Sequence, residues 1–291
     1  MLVVSRAVSH TPVLRAERVG SVHLSEAYHP PGTRLAAHAH RHTAVTFVLT
    51  GGFEERVDRR PFECRSMSLL VKPAGAEHSN RYGTAGARSL FVELIGREAD
   101  RCDGRSRLVG AEPFVVDDRL AMPALAVYCA FRSRAPNLRW EVEELLLELA
   151  GSGGGPRAGS AAGSSPWLRR VEREILERYR EAGLSLAALA GVAGVHPVHL
   201  ARVFRRKHRC SVGSYIQRLR MEEGVRRVAV GKESIADIAI SLGYFDQSHF
   251  SHAFRTVVGQ PPSRARRLVV GPKDQTASRS ATRSKTSTAR P

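Results

Sequence analysis

A chain of 291 residues with 45 Lys and Arg against 28 Asp and Glu carries a net charge of +17, and its length predicts two domains. It has neither a stretch of 18 apolar residues nor a sustained apolar signal core, so no membrane span is predicted and a cytoplasmic setting is expected. Cys64, Cys102, Cys129 and Cys210 are scattered without CxxC spacing, which fits ordinary buried thiols and argues against a disulfide frame.

In chain order, residues 20–95 read as short strands broken by turns: 21–28, 43–50, 53–58, 67–72 and 89–95, with Gly51 and Gly52 as a hairpin-like break. Strands so short and so close together suggest a small β-barrel or sandwich. His38 and His40 stand at i and i+2 and share one side of a strand, as does His42. Gly32, then His38-x-His40, then Pro73-x-Gly75-x-x-His78 resemble the two cupin motifs. In metal cupins those histidines bind a divalent ion together with a Glu shortly after the pair. Here Ala44 and Val45 occupy that region, and Met67 replaces the glycine that opens the second motif. His38, His40 and His78 are therefore read as lining a pocket for a polar effector. No metal or cofactor is assigned, and the same trio is the set that could hold a divalent ion.

Residues 120–132 and 138–149 read as helices. The second carries Leu138, Val142, Leu145, Leu146 and Leu149, with Glu141, Glu143, Glu144 and Glu148 opposite. Such a leucine face packs on the barrel and can also serve a partner helix. Residues 151–165, GSGGGPRAGSAAGSS, have the composition of a flexible linker.

Beyond the linker one pattern occurs twice. Trp167, Leu168, Val171, Ile175 and Leu176 fit a leading helix. Ser185 caps a helix burying Leu186, Leu189, Ala190 and Ala193; Gly194 turns; Pro197 opens a helix burying Leu200, Val203 and Phe204. Tyr215, Ile216, Leu219 and Val225 fit a connecting helix, in which Gly224 stands where a helix former is expected and predicts a softer connector. Ser234 then caps a helix burying Ile235, Ile238, Ala239 and Leu242; Gly243 turns; Asp246 caps a helix burying Phe250, Ala253, Phe254 and Val257. Two short helices joined by a glycine turn, the second with an exposed polar face, predict a DNA-reading helix-turn-helix.

Ile238-Ala239, Gly243-Tyr244, Ser248, Phe250, Phe254, Gly259 and Pro262 closely resemble the signature of the AraC/XylS family of transcription regulators, with Tyr244 in place of the usual Phe. The resemblance implies that the connecting helix holds two reading helices on one DNA face. It implies base-facing positions at Val198, Ala201 and Arg202 in the first reader, and at Gln247, Ser248, Ser251 and His252 in the second. Arg205, Arg206 and Arg255 face phosphates. It further implies an N-terminal effector-binding or dimerising cupin, helices after the barrel that pair two copies, and RNA polymerase as a further partner.

Charge agrees with this reading. Pro166 onward holds 24 Lys and Arg against 10 Asp and Glu, net +14, leaving 21 against 18 before it, net +3. A basic half beside a nearly neutral half is the footprint of a nucleic-acid module. The expected organisation is a cupin-like effector and dimerisation domain at 1–150, a linker at 151–165, an all-α domain with two helix-turn-helix motifs at 166–270, and a disordered basic tail at 271–291. The expected function is a sequence-specific regulator of double-stranded DNA, controlled by a small polar effector, homodimeric and not an enzyme. The competing reading is a metal-dependent cupin oxygenase or isomerase carrying a DNA-binding module. Few contacts are expected to cross the linker.

Overall fold

The computed structural model describes residues 13–95, 112–116, 120–152 and 165–271. Cys102, most of the glycine-rich segment and the basic tail past Gly271 lie outside the described residues.

Among the described residues eight strands form one antiparallel sheet: β1 (Val13–Val19), β2 (Val22–His29), β3 (Arg34–Ala39), β4 (Ala44–Val57), β5 (Arg60–Arg65), β6 (Leu69–Lys72), β7 (Glu77–Leu94) and β8 (Phe114–Val116). They are ordered β1-β2-β7-β4-β6-β8, with β3 on β7 and β5 on β4. The expected break at Gly51 and Gly52 is instead a bend inside β4. That strand pairs with β7 on both sides of it, from Ala44 opposite Glu93 and again from Phe53 opposite Tyr82. The bend needs glycine. Gly51 has φ +78°, and a Cβ there would sit 2.0 Å from the carbonyl oxygen of Gly86. Any side chain would force the two strands apart.

Alternation gives the sheet two faces. Leu24, Val45, Phe47, Leu69, Leu90 and Val92 face the helices, whereas Val48, Phe53, Val57, Leu70 and Tyr82 pack together on the other side.

Nine helices follow among the described residues: α1 (Ala121–Ser133), α2 (Leu138–Ser152), α3 (Pro166–Arg178), α4 (Leu186–Ala193), α5 (Pro197–His208), α6 (Val212–Val230), α7 (Ile235–Ser241), α8 (Gln247–Val258) and α9 (Pro262–Val270). None is long and apolar enough by itself to cross a membrane. The leucine stripe of α2 is consumed within the chain: Leu138, Val142, Leu145, Leu146 and Leu149 are all buried, and the helix packs on α1.

Two separate cores hold the helical region. α3, α4, α5 and the start of α6 close around Leu168, Ile175, Leu189, Leu200 and Phe204. The end of α6 with α7, α8 and α9 belongs to the core of the sheet and α1, through Met221, Val225, Ile238, Phe250 and Phe254. Contacts therefore do cross the glycine-rich segment, contrary to the sequence-based expectation. α1 packs on α6, α8 and α9. Gly224 is explained by the same packing: the Phe250 ring stands 2.8 Å from where its Cβ would lie. The position is a close helix-to-ring approach rather than a soft point.

Candidate nucleic-acid interface and polar cavity

Local chemistry sets both helix pairs. Ser185 Oγ accepts from the Ala188 amide at 3.2 Å and Ser234 Oγ from the Asp237 amide at 3.0 Å. These are the expected caps, each satisfying an amide the helix leaves unpaired. Asp246 caps α8 through the His249 amide at 2.7 Å. His196, which sequence reading passed over, caps α5, its Nδ1 accepting from the Val198 amide at 3.3 Å. α4 and α5 meet at 96°, within the helix-turn-helix range.

The outward faces of α5 and α8 carry the expected residues. Val198, Arg202, Arg205 and Arg206 are exposed on α5 and Ala201 is half-buried; Gln247, Ser248, His252 and Arg255 are exposed on α8 and Ser251 is half-buried. One buried position shifts. Val257 is 42% exposed and Val258, at 1%, fills the core, because Phe250, Phe254 and Val258 keep the i+4 rhythm along that face. Arg220 on α6 ties the region together, donating to the carbonyls of Tyr179 (2.6 Å), Glu181 (2.7 Å) and Gly243 (3.1 Å).

A family profile described as "Helix-turn-helix domain" matches residues 189–268, which span α4 to α9. Residues 189–268 are thus a helix-turn-helix domain of AraC/XylS type. Among curated AraC-type and related regulators, it is 32% identical to the HTH-type transcriptional regulator GlxA of Rhizobium meliloti, over 38% of this chain and 36% of that protein. The chain thus spans little more than a third of that relative's length. It is 22% identical to the uncharacterized HTH-type transcriptional regulator YobQ of Bacillus subtilis, over 79% of this chain and 88% of that one. Among solved structures, the C-terminal domain of AraT, a response regulator from Geobacillus stearothermophilus, aligns at 30% identity over 35% of this chain and 85% of that chain, with a TM-score of 0.34.

The sheet encloses a cavity of about 370 Å³, whose lining includes His38, His40, His78, Glu55, Lys72 and Glu93. The three histidines expected to share a site do so. His38 and His78 are register partners on β3 and β7, their rings 4.2 Å apart, and His40 lies 5.0 Å from His78. Their ligand nitrogens all fall within 4.8 Å of one another. His42 does not join that cluster, because the chain turns after β3 and ends the strand alternation. Desolvation, then the nearby Lys72 charge, pull the His78 pKa down to about 3 and lower that of His40. His29, buried and stacked on Tyr82 at 4.2 Å, is lowered to about 4 for the same two reasons.

Sequence reading missed the charged partners of the histidines. Lys72 Nζ donates to Glu55 Oε1 at 2.7 Å, both side chains buried. His23 Nδ1 pairs with Glu93 Oε2 at 3.2 Å, and His40 Nδ1 stands 3.9 Å from Glu93 Oε1. Glu55 and Glu93 lie far along the chain from the histidine motif, so no short spacing could have revealed them.

Proposed function

We propose that this protein is a sequence-specific DNA-binding transcription regulator with a cupin-like β-barrel as its sensor. The observation that carries this is the pair of capped helix-turn-helix units, each with its second helix turning a polar and basic face to solvent. Arg205, Arg206 and Arg255 supply sequence-independent attraction to phosphates. Arg202 suits guanine, Gln247 adenine, and Val198 a thymine methyl, with Ala201, Ser248, Ser251 and His252 completing the readers. GlxA and YobQ are named as transcription regulators, which supports this reading over an enzyme.

The division of labour we favour is sensing by residues 1–150 and DNA reading by 166–270. The cavity at His38, His40 and His78 receives a small polar effector. Pairing of two copies belongs to the same reading, because α2 leaves Trp140 (72%) and Leu147 (65%) exposed one heptad apart. Selection of bound sequences from a random DNA pool by the full chain, followed by footprinting, tests the reading. The expected result is a bipartite site protected on one face. Retention of random DNA without enrichment would overturn it.

A further inference from the structure

Phe245 stands immediately before Asp246, the cap of α8, and is 87% exposed, more than any other large apolar side chain among the described residues. An apolar residue in that place ordinarily packs back on the fourth residue of the helix, here Phe250. That contact is already taken. Phe250 is fully buried, and the Tyr244 ring meets it edge-on with centroids 5.2 Å apart. A phenyl ring left in water forgoes the burial that favours folding, so the fold gives no reason for Phe rather than a polar residue at 245.

Charge narrows what the ring can meet. Residues 233–254 contain Glu233, Asp237 and Asp246 and neither Lys nor Arg. The leading end of α8 therefore attracts phosphates weakly, whereas α5 exposes Arg202, Arg205 and Arg206. Asp246 is committed to the cap, its carboxylate accepting from the His249 amide at 2.7 Å. Gln247 and Ser248, the next two residues, are exposed. In a helix-turn-helix the N-terminal residues of the second helix are those that reach base edges. The major groove offers one apolar feature among its donors and acceptors, the C5-methyl of thymine, and a phenyl ring suits it.

We propose that Phe245 reads a thymine methyl in the major groove, as the leading base contact of the second reader ahead of Gln247 and Ser248. The inference rests on the DNA-reading assignment of α8 and adds to it a residue that determines specificity. An apolar contact releases no counterions, so this one is insensitive to salt, unlike the phosphate contact assigned to Arg255.

The test titrates the full-length chain on the DNA site it selects, with deoxyuridine replacing each thymidine in turn to remove one methyl at a time. At one position the wild-type chain should bind about fourfold more weakly, the effect of one buried methyl. Phe245→Ala should bind the unmodified site about tenfold more weakly and lose nothing further at that position. Its dependence of affinity on salt should match wild type, whereas Arg255→Ala should lower the slope by about one. Its thermal unfolding should also match wild type, because the ring is exposed. Wild-type affinity in Phe245→Ala, or a wild-type chain indifferent to every deoxyuridine, overturns the proposal and leaves the regulator reading standing. A loss in Phe245→Ala that comes with a lower salt slope overturns it too, since the ring would then act through phosphate contacts. A wild-type chain that selects no site sinks the regulator reading and this contact with it.

Discussion

The hydroxyl of Tyr128 on α1 lies 2.9 Å from the carbonyl oxygen of Leu268 on α9, joining the N-terminal half to the helix that follows the second helix-turn-helix. The same oxygen stands 3.0 Å from Oε1 of Glu26, a fully buried carboxylate that also receives Arg88 at 3.1 Å and Arg132 at 2.7 Å. The one hydroxyl hydrogen is shared between two acceptors, the Glu26 carboxylate and the Leu268 carbonyl. Glu26 sits on β2 beside Ser25 and Ala27, which alternate to the opposite face and line the cavity. One strand thus has the cavity on one side and, through Tyr128 of α1, a link to α9 on the other.

Tyr128→Phe keeps the ring and removes that link. Stability in urea should fall by about 0.5–1.5 kcal/mol, and amide exchange should quicken in α9 before it does in α4 or α5. Equal acceleration in both helix pairs would show that the hydroxyl serves the whole fold rather than the docking of the second pair.

Gly224→Ala is expected to destabilise. An exposed helical site would gain roughly 1 kcal/mol from the better helix former. Here the added methyl meets the Phe250 ring at 2.8 Å and the Leu242 side chain at 3.2 Å within a closed core. Overpacking of that kind costs about 1–3 kcal/mol. Thermal unfolding decides the sign, and a raised Tm would show that the ring yields freely.

Arg202→Ala should weaken binding to the selected site by about 1–3 kcal/mol and relax preference at one or two base pairs, with the fold intact. Phe254→Ala, in the core, should instead cost about 3–5 kcal/mol of stability. Binding titrations on selected and random DNA separate base reading from phosphate contact: an equal loss on both would make Arg202 a phosphate clamp.

Acid should weaken the fold through His29. Its pKa is about 4 in the folded chain against an ordinary 6.5, so between those values the unfolded chain binds the extra proton. Its share of stability is complete above pH 6.5 and is lost as pH falls toward 4, on the order of a few kcal/mol. His78 acts in the same direction, down to about pH 3. His29→Phe preserves a ring against Tyr82 and should lose less stability than wild type across that window. Parallel stability curves for the two proteins would contradict the assignment.

Helix pairs were legible because their determinants are local. Ser185, Ser234 and Asp246 cap amides three residues ahead, Gly194 and Gly243 adopt the positive φ that ends each first helix, and Leu200, Phe204, Phe250 and Phe254 repeat at the period of one helix face. His38, His40 and His78 were legible because two short motifs carry them. What the tertiary structure alone decided was non-local. The pairing of β4 with β7 carries the chain through Gly51 without a hairpin. It also brings Glu55 and Glu93 to histidines that belong to other motifs. The docking of α8 and α9 on α1 joins residues more than a hundred positions apart, across a segment whose composition argued for independence. Periodicity reports which face of an element is buried, and it is silent on which distant surface covers that face.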